Sequence, residues 1–151
     1  MNHKGFRLFG HPVHPLLVHF PIGLWSISIL SDILGIWRAN AFWWHFSFWC
    51  IGFGLGFGLL AAVTGLIDSM AVPQEGPQEK TLTFHMYAML TAFALFLGSF
   101  LMRTKSPVLS GNHLVLAVSL SVLGFIVLVF GGWYGGELVY RWGIGAKHPE
   151  A

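Results

Sequence analysis

The chain has 151 residues, 55% of them hydrophobic and 9% charged, and its mean hydropathy is +0.68; this excludes a soluble globule and points to a bilayer-embedded helical protein. The net charge of +2 comes from eight scattered Lys and Arg against six acids, with no cluster able to follow a phosphate backbone, so nucleic-acid binding is excluded as well. The lone Cys50 excludes an intrachain disulfide, an iron–sulfur nest, a four-Cys zinc site and a CxxCH haem attachment, whereas the eight His demand a use, because polar groups at membrane depth need partners.

A hydrocarbon core of about 30 Å takes roughly 20 apolar residues per helix. The first such run, Pro15 to Ile36, follows Lys4 and Arg7 as a signal peptide would, yet it lacks a small-residue cleavage site, so it is expected to be retained. Within it Pro21 removes an amide donor and frees the Leu17 carbonyl, which predicts a kink or restart beside His19. Asp32, nearing the far interface, is expected to snorkel towards Arg38. After Arg38-Ala39-Asn40 the second run, Phe42 to Ile67, carries His45 near its start. Its Gly52, Gly54, Gly56, Gly58, Ala61, Ala62 and Gly65 suit close helix packing or a flat macrocycle lying on a smooth face. Asp68 closes it, and a polar, Pro-containing link leads to the third run, Thr83 to Met102, with His85 near its start. Arg103-Thr104-Lys105-Ser106-Pro107 then precedes the fourth, His113 to Trp133. Beyond it Gly135 to Gly143 is too apolar for a free tail and is expected to fold back on the N-terminal-side opening. The result is one domain over residues 1–151, an all-α antiparallel four-helix transmembrane bundle. Lys4, Arg7, Lys80, Arg141 and Lys147 on the side of the N-terminus, against Arg38, Arg103 and Lys105, favour a cytoplasmic N-terminus.

Four crossings place the starts of spans one and three on one side and the start of spans two and four on the other. His19 and His85 then stand at one height, and His45 and His113 at another. Neutral imidazoles facing each other are the axial donors of a b-type haem, so His19 and His85 are the expected ligands of one haem and His45 and His113 of a possible second. Arg7 and Arg141, with Arg103 at the far end, are candidate partners for the propionates. The competing reading is a site for zinc, copper or non-haem iron built from His11, His14, His19, His85 and Asp68, in a metal-binding or accessory subunit without redox activity. Pro12 and Pro15 keep His11 and His14 off a shared helix face. Asp68 could also orient one of the imidazoles instead of ligating.

The stretch His11-Pro12-Val13-His14-Pro15-Leu16-Leu17-Val18-His19-Phe20-Pro21-Ile22-Gly23, together with Gly65-Leu66-Ile67-Asp68, His85 and Gly135-Gly136-Glu137-Leu138-Val139-Tyr140-Arg141-Trp142-Gly143, resembles the bacterial family numbered 2231 among domains of unknown function, over essentially the whole chain. The resemblance implies a small four-span protein of the bacterial inner membrane, with His14, His19, Asp68 and His85 at motif positions. Some relatives are fused to Rieske or cytochrome-like domains, which implies redox work. The expected function is therefore membrane electron transfer through haem, with a quinone or a redox subunit as partner, in a chain that could form homo-oligomers.

Overall fold

The computed structural model describes residues 5–72 and 75–145; Lys4 and Lys147, used above for orientation, lie outside them. A short antiparallel hairpin, β1 (Arg7–Leu8) and β2 (His11–Pro12), precedes four helices: α1 (Val13–Arg38), α2 (Ala41–Ser69), α3 (Pro77–Arg103) and α4 (Gly111–Tyr140). The helices hold 26, 29, 27 and 30 residues, so at 1.5 Å per residue each exceeds the roughly 30 Å hydrocarbon core. All four are long and apolar enough to cross a membrane. Each runs past its expected span, most at the start of α3 and the end of α4.

Local chemistry explains the ends. At the hairpin turn Phe9 and Gly10 both have positive φ, 50° and 80°, as a two-residue type I′ turn requires. Asn40 caps α2, its side chain accepting from the Phe42 amide at 2.8 Å, and Pro77 opens α3 at a position where its missing amide is no loss. Two expectations are corrected. α1 passes through Pro21 as one helix, without a restart there. The segment from Gly135 to Tyr140 continues α4, since nothing in it breaks the backbone ladder; the return begins only at Arg141, where Gly143 (φ 65°) donates to the Val139 carbonyl and Ile144 to that of Leu138.

α1 packs chiefly on α2 and α3 on α4, and contacts of α2 with α3 and of α1 with α4 close the ring. Large apolar side chains cover the outside of the bundle, and several polar ones lie within. Leu30, Phe53, Val129 and Phe130 are exposed, whereas Ser28, Ser31, Asp32, Ser47, Ser99, Arg103 and Ser121 are buried. In a bilayer this is the stable arrangement, because lipid solvates Leu and Phe while small residues let backbones approach and hydroxyls find carbonyls. Thus Ser28 donates to the Trp25 carbonyl and Ser31 to that of Ile27, at 2.7 and 2.9 Å.

The two hairpins place similar residues at corresponding positions. An offset of 71 residues carries His14 to His85, Trp25 to Phe96, Ser28 to Ser99 and Asp32 to Arg103; an offset of 70 carries Gly54 to Gly124, Ala61 to Gly131 and Gly65 to Gly135. Both hairpins run in the same sense, so the pseudo-twofold axis lies along the helices, as in transporters with parallel repeats. Counterparts that touch mark the axis. Trp25 and Phe96 stack with centroids 4.5 Å apart and planes 13° from parallel, and Asp32 meets Arg103.

Candidate functional site

On α1 the spacing of His14, Pro21, Trp25, Ser28 and Asp32, and on α3 that of His85, Ala92, Phe96, Ser99 and Arg103, is 7, 4, 3 and 4 residues. That is the seam of a left-handed bundle, and it turns both His14 and His85 inward at one end. Each is half-buried and makes the same bond. His14 Nδ1 donates to the Ala61 carbonyl at 2.8 Å and His85 Nδ1 to the Gly131 carbonyl at 2.8 Å. A carbonyl only accepts, so a proton sits on Nδ1, and in the neutral ring Nε2 is the nitrogen that carries the lone pair. Each ring lies on a glycine one turn beyond its acceptor: a Cβ on Gly65 would stand 2.7 Å from His14 Cε1, and one on Gly135 3.0 Å from His85 Cε1.

His14, not His19, shares the position and the bond of His85. Five residues of helix rotate about 140° at 3.6 residues per turn, so an inward His14 leaves His19 exposed on the outer face of α1. His45 and His113 are exposed as well, and His45 Nδ1 bonds to the Ala41 carbonyl of its own helix at 2.9 Å; the structure does not bring them together. His11 is exposed on β2. Arg7 donates to the Gly10 carbonyl at 3.2 Å and Arg141 to Glu137 at 3.2 Å, both in exposed positions. Among the described residues no three His, Cys, Asp or Glu come together as metal ligands, so the set of His11, His14, His19, His85 and Asp68 is not assembled. Trp142, which sequence reasoning missed, has a buried indole Nε1 with no partner among the described residues.

Asp68 has a different use from either expected one. Its Oδ1 accepts from the Phe6 amide at 2.6 Å, and the Val13 amide donates to the Phe6 carbonyl at 3.2 Å, so the N-terminal hairpin is clipped to the end of α2. A hydrogen bond to a charged group contributes about 1.5–3 kcal/mol. Asp68→Ala is expected to speed amide hydrogen exchange of Phe6 and Val13 at least roughly tenfold while the bundle helices keep their protection; unchanged exchange at Phe6 would contradict the clip.

At the other end of the axis, about 27 Å further along α1, stands the group that the sequence did not resolve. Arg103 donates from Nη1 and Nη2 to the two carboxylate oxygens of Asp32 at 2.8 and 2.7 Å, and its side chain is fully buried. Ser99, Ser47 and Ser121 accept its remaining hydrogen bonds at 3.2, 3.2 and 3.5 Å. Asp32 thus turns inward to Arg103 instead of snorkelling to Arg38, whose guanidinium lies over Trp37 at 4.3 Å.

Residues 10–148 match the family described as "Predicted membrane protein (DUF2231)", so the chain belongs to that family, and the four apolar helices make it a four-span membrane protein. No curated protein and no solved structure matches the chain.

Proposed function

We propose that this member of the DUF2231 family is an electron-transfer protein of the bacterial inner membrane, holding one non-covalent b-type haem between His14 and His85. The observation that carries the reading is the matched pair of 2.8 Å bonds from Nδ1 to a carbonyl. A hydrogen-bonded Nδ1 fixes ring orientation and raises the basicity of Nε2, which is how proteins prepare an imidazole to ligate a metal. Two such rings at corresponding positions of the two hairpins would hold the group, and two neutral donors would add no charge to a low-dielectric interior. The glycines contribute by shape, since a Cβ at 65 would displace the His14 ring and one at 135 would crowd that of His85.

A haem held there supplies a one-electron couple. The chain's own residues do the rest. His14 and His85 bind, the carbonyls of Ala61 and Gly131 hold their Nδ1 protons, and the packed helices exclude water. The remaining guanidinium protons of Arg141 and Arg7, both exposed, are donors available to carboxylates at that end. A quinone in the bilayer or a redox subunit is the partner class that such a protein serves. One haem is proposed because His45 and His113 face outward.

The test is the reduced-minus-oxidised spectrum of the purified chain. A Soret band and a sharp α-band at one haem per chain are expected. Both bands should vanish in His14→Ala and in His85→Ala and persist in His19→Ala. A colourless wild type, or loss with His19→Ala and retention with His14→Ala, would overturn the assignment.

A further inference from the structure

At the end remote from His14 and His85, the link from α3 to α4 encloses an open groove of about 420 Å³, within the usual range of ligand pockets, about 300–1,000 Å³. Leu101, Met102 and Val108 contribute its apolar lining, and Lys105, Ser110 and His113 its polar lining. The three polar residues are uncommitted: among the described residues Lys105 and His113 have no ion pair or hydrogen bond, and the Ser110 hydroxyl makes no capping bond to α4. The charge of this end is one-sided. It carries Arg38 and Lys105, while among the described residues the one carboxylate nearby, Asp32, is buried against Arg103. Asp68, Glu75, Glu79 and Glu137 all belong to the opposite end.

The groove thus offers uncompensated positive charge and hydroxyl and imidazole donors beside an apolar wall, at the level where the last turn of α3 and the first turn of α4 meet the membrane interface. An anion that also carries an acyl chain satisfies both halves. A zwitterionic lipid brings its own cation and gains less from the same lining. We propose that this groove seats the phosphate of an acidic phospholipid on Lys105, Ser110 and His113, with its acyl chain along Leu101 and Met102. Leu101 is 58% exposed, so the acyl chain has a way out to the bilayer.

The experiment is native mass spectrometry of the full chain in a neutral detergent, with phosphatidylglycerol and phosphatidylcholine supplied in equal amounts. The wild type is expected to retain one phosphatidylglycerol, and Lys105→Gln combined with His113→Gln to weaken its retention about tenfold or more, the usual effect of losing charge-assisted contacts. Arg38→Gln removes a cation from the same end without touching the groove and should leave retention unchanged. Lys105→Gln alone and Ser110→Ala, both at exposed positions, should each show a smaller loss in the same direction. Equal retention of phosphatidylcholine, a loss with Arg38→Gln matching that of the double variant, or no loss in any groove variant would overturn the proposal. So would displacement of phosphatidylglycerol by equimolar glycerol 3-phosphate, which would make the ligand a soluble phosphate.

Discussion

Replacing Asp32 by Ala is expected to lower the stability of the bundle by about 3–5 kcal/mol, the largest loss for any single side chain outside the core aromatics. The substitution leaves a fully buried guanidinium with five N–H groups and only serine oxygens to accept them. A guanidinium cannot shed its proton at any accessible pH, so its desolvation must be met by distortion of α3 or by entry of water. Arg103→Met is expected to be milder, because a lone carboxyl can neutralise itself by taking up a proton. Removing both charges, with Leu at 32 and Met at 103, should recover most of the loss, since apolar side chains of similar size often replace a buried ion pair at little cost. Denaturation in mixed micelles, followed by helicity, gives the three values. A double variant as unstable as Asp32→Ala would mean that the serines, not the ion pair, organise this end.

The ion pair also shows where sequence reasoning stops. The four spans, their order and the antiparallel bundle were legible, because a run of about 20 apolar residues between polar links has few other solutions. Rotation of each helix about its axis was not. Height along a helix can be counted from the interface, and by that count His19 and His85 match. Facing depends on which side packs, and in a chain that is apolar all round no hydrophobic stripe marks it. The available signal was the spacing of the polar residues: His14 and Asp32 are 18 residues apart on α1, as are His85 and Arg103 on α3, five helical turns that bring both members of each pair to one face. Read together, the two spacings expose the repeat, assign His14 and not His19 to the interior, and pair Asp32 with Arg103. The clip between Asp68 and Phe6 was out of reach, because it joins a side chain to a backbone amide 62 residues away.

The repeat in turn makes a graded prediction about the two glycines under the histidines. A Cβ at 65 would stand 2.7 Å from His14 Cε1 and 2.9 Å from its Nδ1, whereas one at 135 would stand 3.0 and 3.2 Å from the corresponding atoms of His85. The first pair of distances forces the ring to move, and the second asks for a few tenths of an ångström. Gly65→Ala should therefore break the bond from His14 to the Ala61 carbonyl, while Gly135→Ala weakens that from His85 to Gly131. Neither should unfold the bundle. Alanine gains about 1 kcal/mol of helix propensity over glycine, against an overpacking penalty of about 1–3 kcal/mol, so the net change in stability is small. The imidazoles should report instead: loss of an orienting hydrogen bond typically lowers metal affinity about 10–100-fold. Haem retention is expected to fall by that order in Gly65→Ala and by less in Gly135→Ala, with the ¹⁵N shift of the His14 Nδ1 recording the broken bond whether or not haem is bound. Gly56→Ala and Gly132→Ala, where an added Cβ meets nothing within 4 Å, should change neither readout. Equal effects from all four substitutions would trace the loss to general helix repacking and not to the two rings.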